Sequence, residues 1–202
     1  MEWRIPHSEE DMLNEIEVNG LANITRLVGL SYGKELDFEH GQRVIKSLVA
    51  KPLNSGEANI LTGVQVNMVV TASIKWWQQA ERYHWFQIAM SESIMHSIAD
   101  PNKELTQANF AYPTPLSEAY IGMRKEVFKQ FGSDIPEDIK LCMIYNVPVS
   151  YLEKAYVTTN YLQLMTMYRQ RRNHKLPEWQ KFCDEVEKLP MMKTLLGVQN
   201  VN

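Results

Sequence analysis

The sequence predicts an α+β fold, mostly helical with a small sheet, in a single domain over residues 1–202. Three observations predict it. Apolar residues recur at spacings of three and four along most of the chain, as the buried stripe of a helix requires. One stretch, residues 64–70, alternates instead with the period of a half-buried strand. The chain also carries no internal repeat, low-complexity tract or Ser/Gly linker, so one unit accommodates its 202 residues.

The elements follow in order. Ser8 reads as the cap of a first helix, with Asp11 three residues on as capping-box partner. Met12, Leu13 and Ile16 supply its buried stripe, and Asn19-Gly20 stops it. A second helix over residues 23–31 buries Ile24, Leu27, Val28 and Leu30, and a third over residues 40–50 buries Val44, Ile45, Leu48 and Val49. Pro52 ends it, and Asn54-Ser55-Gly56 makes a loop. In the strand, Val64, Val66, Met68 and Val70 face one way and Gln65, Asn67 and Val69 the other. A long helical region then runs from Ile74 towards Ile98, until Asp100-Pro101-Asn102 breaks it. A polar loop leads to Tyr112-Pro113, and residues 117–131 form a helix closed by Gly132. Residues 141–147 read as a short strand or extended segment, and Ser150 as the cap of a helix reaching Arg172. Pro177 suits the first position of a last helix, whose buried face is Phe182, Val186 and Leu189.

Composition bounds the function. Hydrophobic residues make up 45% and charged residues 22%, the balance of a soluble globular chain. Lys and Arg number 21 against 24 Asp and Glu, a net charge of -3, which excludes a broadly basic nucleic-acid coat but leaves room for a local patch. No apolar run approaches the roughly 18 residues of a membrane helix. The start, Met1 to Glu10, lacks the apolar centre of a signal peptide. Cys142 and Cys183 give no disulfide framework, so the expected location is the reducing cytoplasm. Phosphate-cradling glycine loops, zinc-spaced Cys or His pairs and nucleophile elbows are all missing, and the five histidines are scattered. Neither a metal site nor a triad hydrolase is expected.

Two segments remain. In the first, Trp76-Trp77-Gln78-Gln79-Ala80-Glu81-Arg82-Tyr83-His84-Trp85-Phe86, helical spacing puts Gln78 and Gln79 one turn before Arg82. A planar amide beside a guanidinium reads a base edge or holds an anion. Alternatively Trp76, Ala80 and Tyr83 are simply core and Arg82 pairs at the surface. Ser91, Ser93 and His96 follow, either as a phosphate cradle or as the cap of a new helix. In the second, residues 160–175, Asn160, Met167 and Arg171 fall near one line, since eleven residues make about three turns. Arg169, Arg171, Arg172 and Lys175 crowd its end. Favourable interaction with the helix dipole explains part of that, at roughly 0.3–1 kcal/mol per exposed charge. The rest points to an anion site, because guanidinium forks bind phosphate or carboxylate with paired hydrogen bonds. A nucleic-acid face is not expected, as no basic stripe extends the run.

These two segments, in this order, resemble the flavin-dependent thymidylate synthase family (ThyX). That family has a strand and then Gln-x-x-Arg-His-Arg, continuing through Ser, Asn, Glu, Ser and Arg-Tyr. Here Gln79-Ala80-Glu81-Arg82-Tyr83-His84 follows the strand and Thr71-Ala72. The family's Gly-His-Glu-Ser stretch has its counterpart in Gly56-Glu57-Ala58-Asn59. Its C-terminal Asn-x-Arg, His-Phe and Leu-Arg frame has counterparts in Asn160-Tyr161-Leu162, Thr166-Met167 and Gln170-Arg171. The resemblance spans residues 24–179, and the double tryptophan with Ser91-Glu92-Ser93 points to a divergent branch of the kind found in phage genomes and Gram-positive bacteria.

The resemblance implies a homotetramer with FAD and dUMP bound between subunits. It further implies NADPH as reductant and methylenetetrahydrofolate as carbon donor, and a uracil activated by arginines and flavin rather than by a protein nucleophile. Carried over by position, Arg171 and Arg82 are catalytic. Gln79, Arg82, Ser91, Ser93, Arg171 and Arg172 bind the substrate, and His84, Glu57, Asn59 and Asn160 bind the cofactor. The chain departs from the family at Tyr83 for a histidine, His84 for an arginine, Leu162 for an arginine, and Thr62-Gly63 for a Glu-His pair. Losing placed charge costs roughly 2.7–4 kcal/mol of transition-state stabilisation per donor. The alternative expectation is therefore a non-catalytic protein that binds or sequesters a nucleotide on the same scaffold. A third is that the aromatic and Met-rich helices serve subunit packing alone.

Overall fold

A computed structural model describes residues 3–4, 11–52 and 55–197. In chain order the elements are β1 (Trp3–Arg4), β2 (Leu13–Asn19), α1 (Leu21–Leu27), α2 (Phe38–Val49), β3 (Gln65–Ser73), α3 (Ile74–Ala80), β4 (Gln87–Ser91), α4 (Ile94–Ala99), α5 (Pro115–Phe131), α6 (Glu137–Tyr145), β5 (Leu152–Asn160), α7 (Tyr161–Arg171), α8 (Pro177–Val186) and α9 (Met192–Leu196). Short 3-10 turns occupy Val28–Tyr32, Glu57–Gly63 and Gln107–Asn109. The expected α+β class and the dominance of helix both hold.

Several expected helices appear near their expected places. Asp37 caps α2 by accepting from His40 N at 2.8 Å. A Thr114–Ser117 capping box starts α5, with Pro115 in its first turn, and Gly132 in a positive-φ conformation ends it. Pro177 opens α8 as its fixed φ permits. Gly41 and Gly20 sit at the tightest backbone approaches. A side chain at Gly41 would lie 1.8 Å from Thr25 O, where α2 crosses α1, and one at Gly20 would lie 2.2 Å from Gly63 O.

Four expectations fail, each for an identifiable reason. Residues 13–19 are a strand, not a helix. A bulge between Asn14 and Glu17, with Glu15 at φ 49°, adds one residue, so Leu13 and Ile16 are buried at helix-like spacing within a strand. Ser8, the expected cap, lies outside the described residues. The helix expected from Ile74 to Ile98 stops at Ala80. Buried Tyr83 and Phe86 pin a turn there, and β4 and α4 follow. Residues 141–147 belong mostly to α6, which buries Met143. Finally, the helix expected from Ser150 to Arg172 is strand β5 followed by α7. Ala155, Val157 and Thr159 are buried in alternation along β5, and Asn160 caps α7.

The strand that was missed is central. The sheet runs β1-β2-β3-β5-β4 with every pair antiparallel, and β5 joins the long β3 to the short edge strand β4. Val66, Met68, Val70, Ala155 and Val157 form its inner face and pack into one core with Trp76, Leu164, Trp179 and Phe182. A smaller cluster around Ile98, Phe110, Tyr120, Met143 and Tyr151 sits beside it. There the buried Arg124 donates to the carbonyls of Ile98, Asp100 and Lys103, closing the loop after α4. The other sheet face stays open among the described residues. Register places Val69, Tyr156 and Met90 in one row across it, with Tyr156 and Met90 41% and 74% exposed.

Candidate functional site

The two charge-bearing segments meet where α3 and α7 end. Ser73 caps α3 by accepting from Trp76 N at 3.1 Å, while its own N and Oγ donate to the two carboxylate oxygens of Glu178 at 2.8 and 2.6 Å. The first turn of α8 therefore holds the start of α3. Trp76, Trp77 and Ala80 face the core, which leaves Gln79 half-buried at the edge. Asn160, accepting from Gln163 N at 2.9 Å, starts α7 on a course that delivers Gln170 and Arg171 to the same edge.

There Arg171 is clamped. Its Nε donates to Tyr83 Oη at 2.8 Å and its Nη1 to Gln79 Oε1 at 3.4 Å. Tyr83 Oη in turn donates to Gln170 Oε1 at 2.9 Å, and Trp179 Nε1 donates to Gln79 Oε1 at 2.9 Å. The guanidinium also lies over the rings of Trp179 and Tyr83, 4.9 and 5.6 Å from their centroids. Such cation–π contacts contribute about 0.5–2 kcal/mol each. An arginine has five N–H donors. Nη2 and one hydrogen of Nη1 have no partner among the described residues. The result is a half-buried guanidinium of fixed orientation with a free donor edge, the geometry that binds a carboxylate or phosphate. His174 lies beside it. Partial burial and then the Arg171 charge hold its imidazole below the usual range, consistent with Nδ1 accepting from Leu176 N at 3.1 Å.

The other expected residues are placed differently. Arg82 is exposed in the turn after α3, with no hydrogen bond or ion pair among the described residues, so only Gln79 joins Arg171. The basic run does not act as one patch, because successive residues of a helix point about 100° apart. Arg169 reaches Val49 O at 3.4 Å, and Arg172 pairs with Asp184 and, at 3.9 Å, with Glu187 on the α8 side. Ser91 is exposed at the end of β4, and Ser93 caps α4 by accepting from His96 N at 3.4 Å. His84 is exposed, with Trp85 edge-on to its ring at 4.8 Å. Glu57 pairs with Lys51 at 3.0 Å, and the Asn59 carbonyl accepts from Thr62 Oγ1 at 2.7 Å. Among the described residues no cluster of His, Cys, Asp and Glu suits a metal, and no helix is long and apolar enough to cross a membrane.

Sequence reasoning missed two features. Trp179, not among the expected site residues, is fully buried and also steadies both Gln79 and Arg171. Replacing it with Phe keeps most of the ring but removes the donor, at an expected cost of about 1–2 kcal/mol in urea denaturation. In a double-mutant cycle with Gln79→Ala the two losses should be non-additive by at least about 0.5 kcal/mol. Strict additivity would show that this hydrogen bond carries nothing. The second feature is a groove of about 350 Å³ at the sheet end, lined by Thr62, Gln65, Trp85, Gln87, Thr158, Thr159 and Asn160. Thr159 Oγ1, shut off from solvent, has no hydrogen-bond partner among the described residues. A buried polar group left unpaired costs about 1–3 kcal/mol, so this one calls for a partner. The visible signal was a threonine on the buried side of an alternating strand.

No protein-family model and no curated protein matches the chain. Solved structures do. A crystal structure of flavin-dependent thymidylate synthase ThyX from Helicobacter pylori, complexed with FAD and dUMP, is similar with a TM-score of 0.63 at 14% identity, covering 89% of this chain and 94% of that one. A second Helicobacter pylori ThyX structure with FAD and dUMP gives 0.64 at 14% identity, covering 89% and 93%. At that identity the likeness speaks to the fold, and the fold of this chain is ThyX-like.

Proposed function

We propose that this protein binds a pyrimidine nucleotide of the dUMP type at the Arg171 corner, with FAD as its cofactor and a homotetramer as its assembly. The observation that carries the reading is the clamp of Gln79, Tyr83 and Trp179 around Arg171. It fixes a cation in place before any ligand arrives, which reduces the ordering cost of binding. The FAD and dUMP held by the structurally similar proteins name the ligands to try first. The unpartnered Thr159 hydroxyl beside a groove lined by no charged side chain fits a flavin ring. When bound, FAD would supply hydride chemistry. NADPH and methylenetetrahydrofolate enter as co-substrates only if the protein is catalytic. Arg82 and His84, exposed in one turn, are free to meet a phosphate or a neighbouring copy. The open sheet face with its Val69–Tyr156–Met90 row supports self-association.

A second reading, nucleotide binding without chemistry, is favoured by one observation. Arg171 already spends two donors on Tyr83 and Gln79, and Arg82 stands apart from the cluster, so the placed charge is thin.

The experiment is a titration with dUMP and FAD, followed by thermal unfolding, together with a solution mass measurement. At a hundredfold excess over Kd a ligand adds about 2.7 kcal/mol to the folded state, or about 5–10 °C in Tm for a chain of this size. Flavin absorbance that bleaches on adding NADPH supports the enzyme. Colourless protein stabilised by dUMP supports the second reading. A Tm that neither ligand moves overturns both, and a monomeric mass removes the tetramer.

A further inference from the structure

The charge of the Arg171 corner depends on a neighbour. We propose that His174 sets it: the imidazole is neutral while the site is empty and takes up a proton when an anion fills it, so that acid strengthens binding. This rests on the reading of Arg171 as the nucleotide's anchor, and adds how that anchor responds to pH.

His174 lies three residues past the end of α7, and its backbone is held from both sides. Its N donates to Arg171 O at 2.9 Å, and its carbonyl accepts from Gln180 Nε2 at 3.1 Å. The side chain is committed as well. Nδ1 accepts from Leu176 N at 3.1 Å, so it carries no proton, and the neutral ring holds its one proton on Nε2. Leu176 caps α8, so this bond fastens the imidazole to the start of that helix. Protonation would turn an Nδ1–H against the Leu176 N–H, donor facing donor.

The charges around the ring are one-sided. Arg171 faces it from α7, and both groups lie by the indole of Trp179, the imidazole at 6.3 Å and the guanidinium at 4.9 Å. From α8 it meets Trp179 and Gln180, and from the α3 side the cluster is met by Gln79 and the Tyr83 hydroxyl, all neutral side chains. Arg172 turns to Asp184 and Glu187, Glu178 is held by Ser73, and Lys175 is exposed. No carboxylate lies within ion-pair distance of His174 among the described residues. Burial and then the Arg171 charge therefore hold the imidazole neutral, with nothing to offset them.

An anion on the free edge of Arg171 supplies what is missing. It screens the guanidinium and favours the charged form of the ring. The coupling is reciprocal, so whatever the anion adds to protonation, protonation adds to the anion's affinity. In the empty protein the ring titrates below its usual value, and filling the site raises that value. Affinity is then greatest below the lower value, falls as pH rises between the two, and is level above the higher. A rise of half a unit to one unit corresponds to a factor of about three to ten. A phosphate ligand titrates near pH ~6 itself and loses charge in acid, so the wild type has to be compared with a variant that lacks the ring.

That variant is His174→Asn. An asparagine side chain accepts from the N–H two residues on, which keeps the bond to Leu176 and removes the titration. dUMP is titrated by calorimetry into both full-length proteins at about pH 5.5 and about pH 7.5, on either side of the usual imidazole range. Two buffers of different ionisation enthalpy count the protons. The ratio of wild-type to variant affinity should be about three to ten times larger at the lower pH, with more protons taken up per dUMP by the wild type. In proton NMR, dUMP should raise the titration midpoint of one wild-type histidine, the one the variant lacks. Equal pH profiles and proton counts in the two proteins, with dUMP still bound, overturn the coupling and spare the anchor. A wild type in which dUMP raises no histidine midpoint overturns the coupling even if the variant does not fold. A wild type that binds no dUMP at either pH overturns anchor and coupling together.

Discussion

Arg171→Ala is expected to cost about ten- to a hundredfold in dUMP affinity while the protein stays folded. The affinity loss follows from hydrogen bonds to a charged group, each contributing about 1.5–3 kcal/mol, at 1.4 kcal/mol per factor of ten. The small stability cost follows from the network around it. Without Arg171, Tyr83 Oη still donates to Gln170, and Gln79 Oε1 still accepts from Trp179. No neighbour is left with an unsatisfied buried group, and the change should remain below about 1.5 kcal/mol. Arg171→Lys should recover only part of the affinity, because an ammonium keeps the charge but loses the planar fork. Calorimetry on the two variants beside urea denaturation separates the effects. Wild-type affinity in Arg171→Ala would remove the residue from the site, and a large loss of stability with it would make the clamp a packing device.

The largest expected effect on stability lies elsewhere, at Glu185. This buried carboxylate accepts from Met12 N at 3.0 Å and Leu13 N at 2.7 Å, where β2 begins. It joins the second-last helix to a strand more than 170 residues earlier. Glu185→Ala strands two buried N–H groups at about 1–3 kcal/mol each. We expect a loss of about 3–5 kcal/mol, or on the order of 10 °C in Tm. Glu185→Gln should recover roughly half, because its amide offers one acceptor where the carboxylate offers two. A loss under about 1 kcal/mol in the alanine variant would mean that solvent replaces the carboxylate and that the start of β2 is looser than its geometry suggests.

How much was legible differs element by element. Pro177 carries its meaning locally, since a fixed φ acts on the residues next to it, and α8 appears where it is expected, whereas Asp37 and Thr114 cap α2 and α5 three residues before the expected starts. The strand β3 was legible because its alternation is uninterrupted. The bulge in β2 disguised a strand as a helix, and β5 ran so directly into α7 that its own alternation was absorbed into the following helical pattern. Arg171 was singled out from an excess of charge, and Gln79 from its spacing to an arginine that in the end stands apart. Trp179 gave no such signal, because a tryptophan on a helix face reads as core whether or not its indole N–H has a task.

The sequence by itself determined the class of the fold and the two segments from which a site is built, because each depends on residues within a turn or two of one another. Only the tertiary structure decided that β5 lies between β3 and β4, that Arg169, Arg171 and Arg172 part company towards three different neighbours, and that Trp179 holds Gln79 against Arg171. Those outcomes rest on contacts between residues scores of positions apart, where long-range packing and register choose the partner and local spacing carries no information about it.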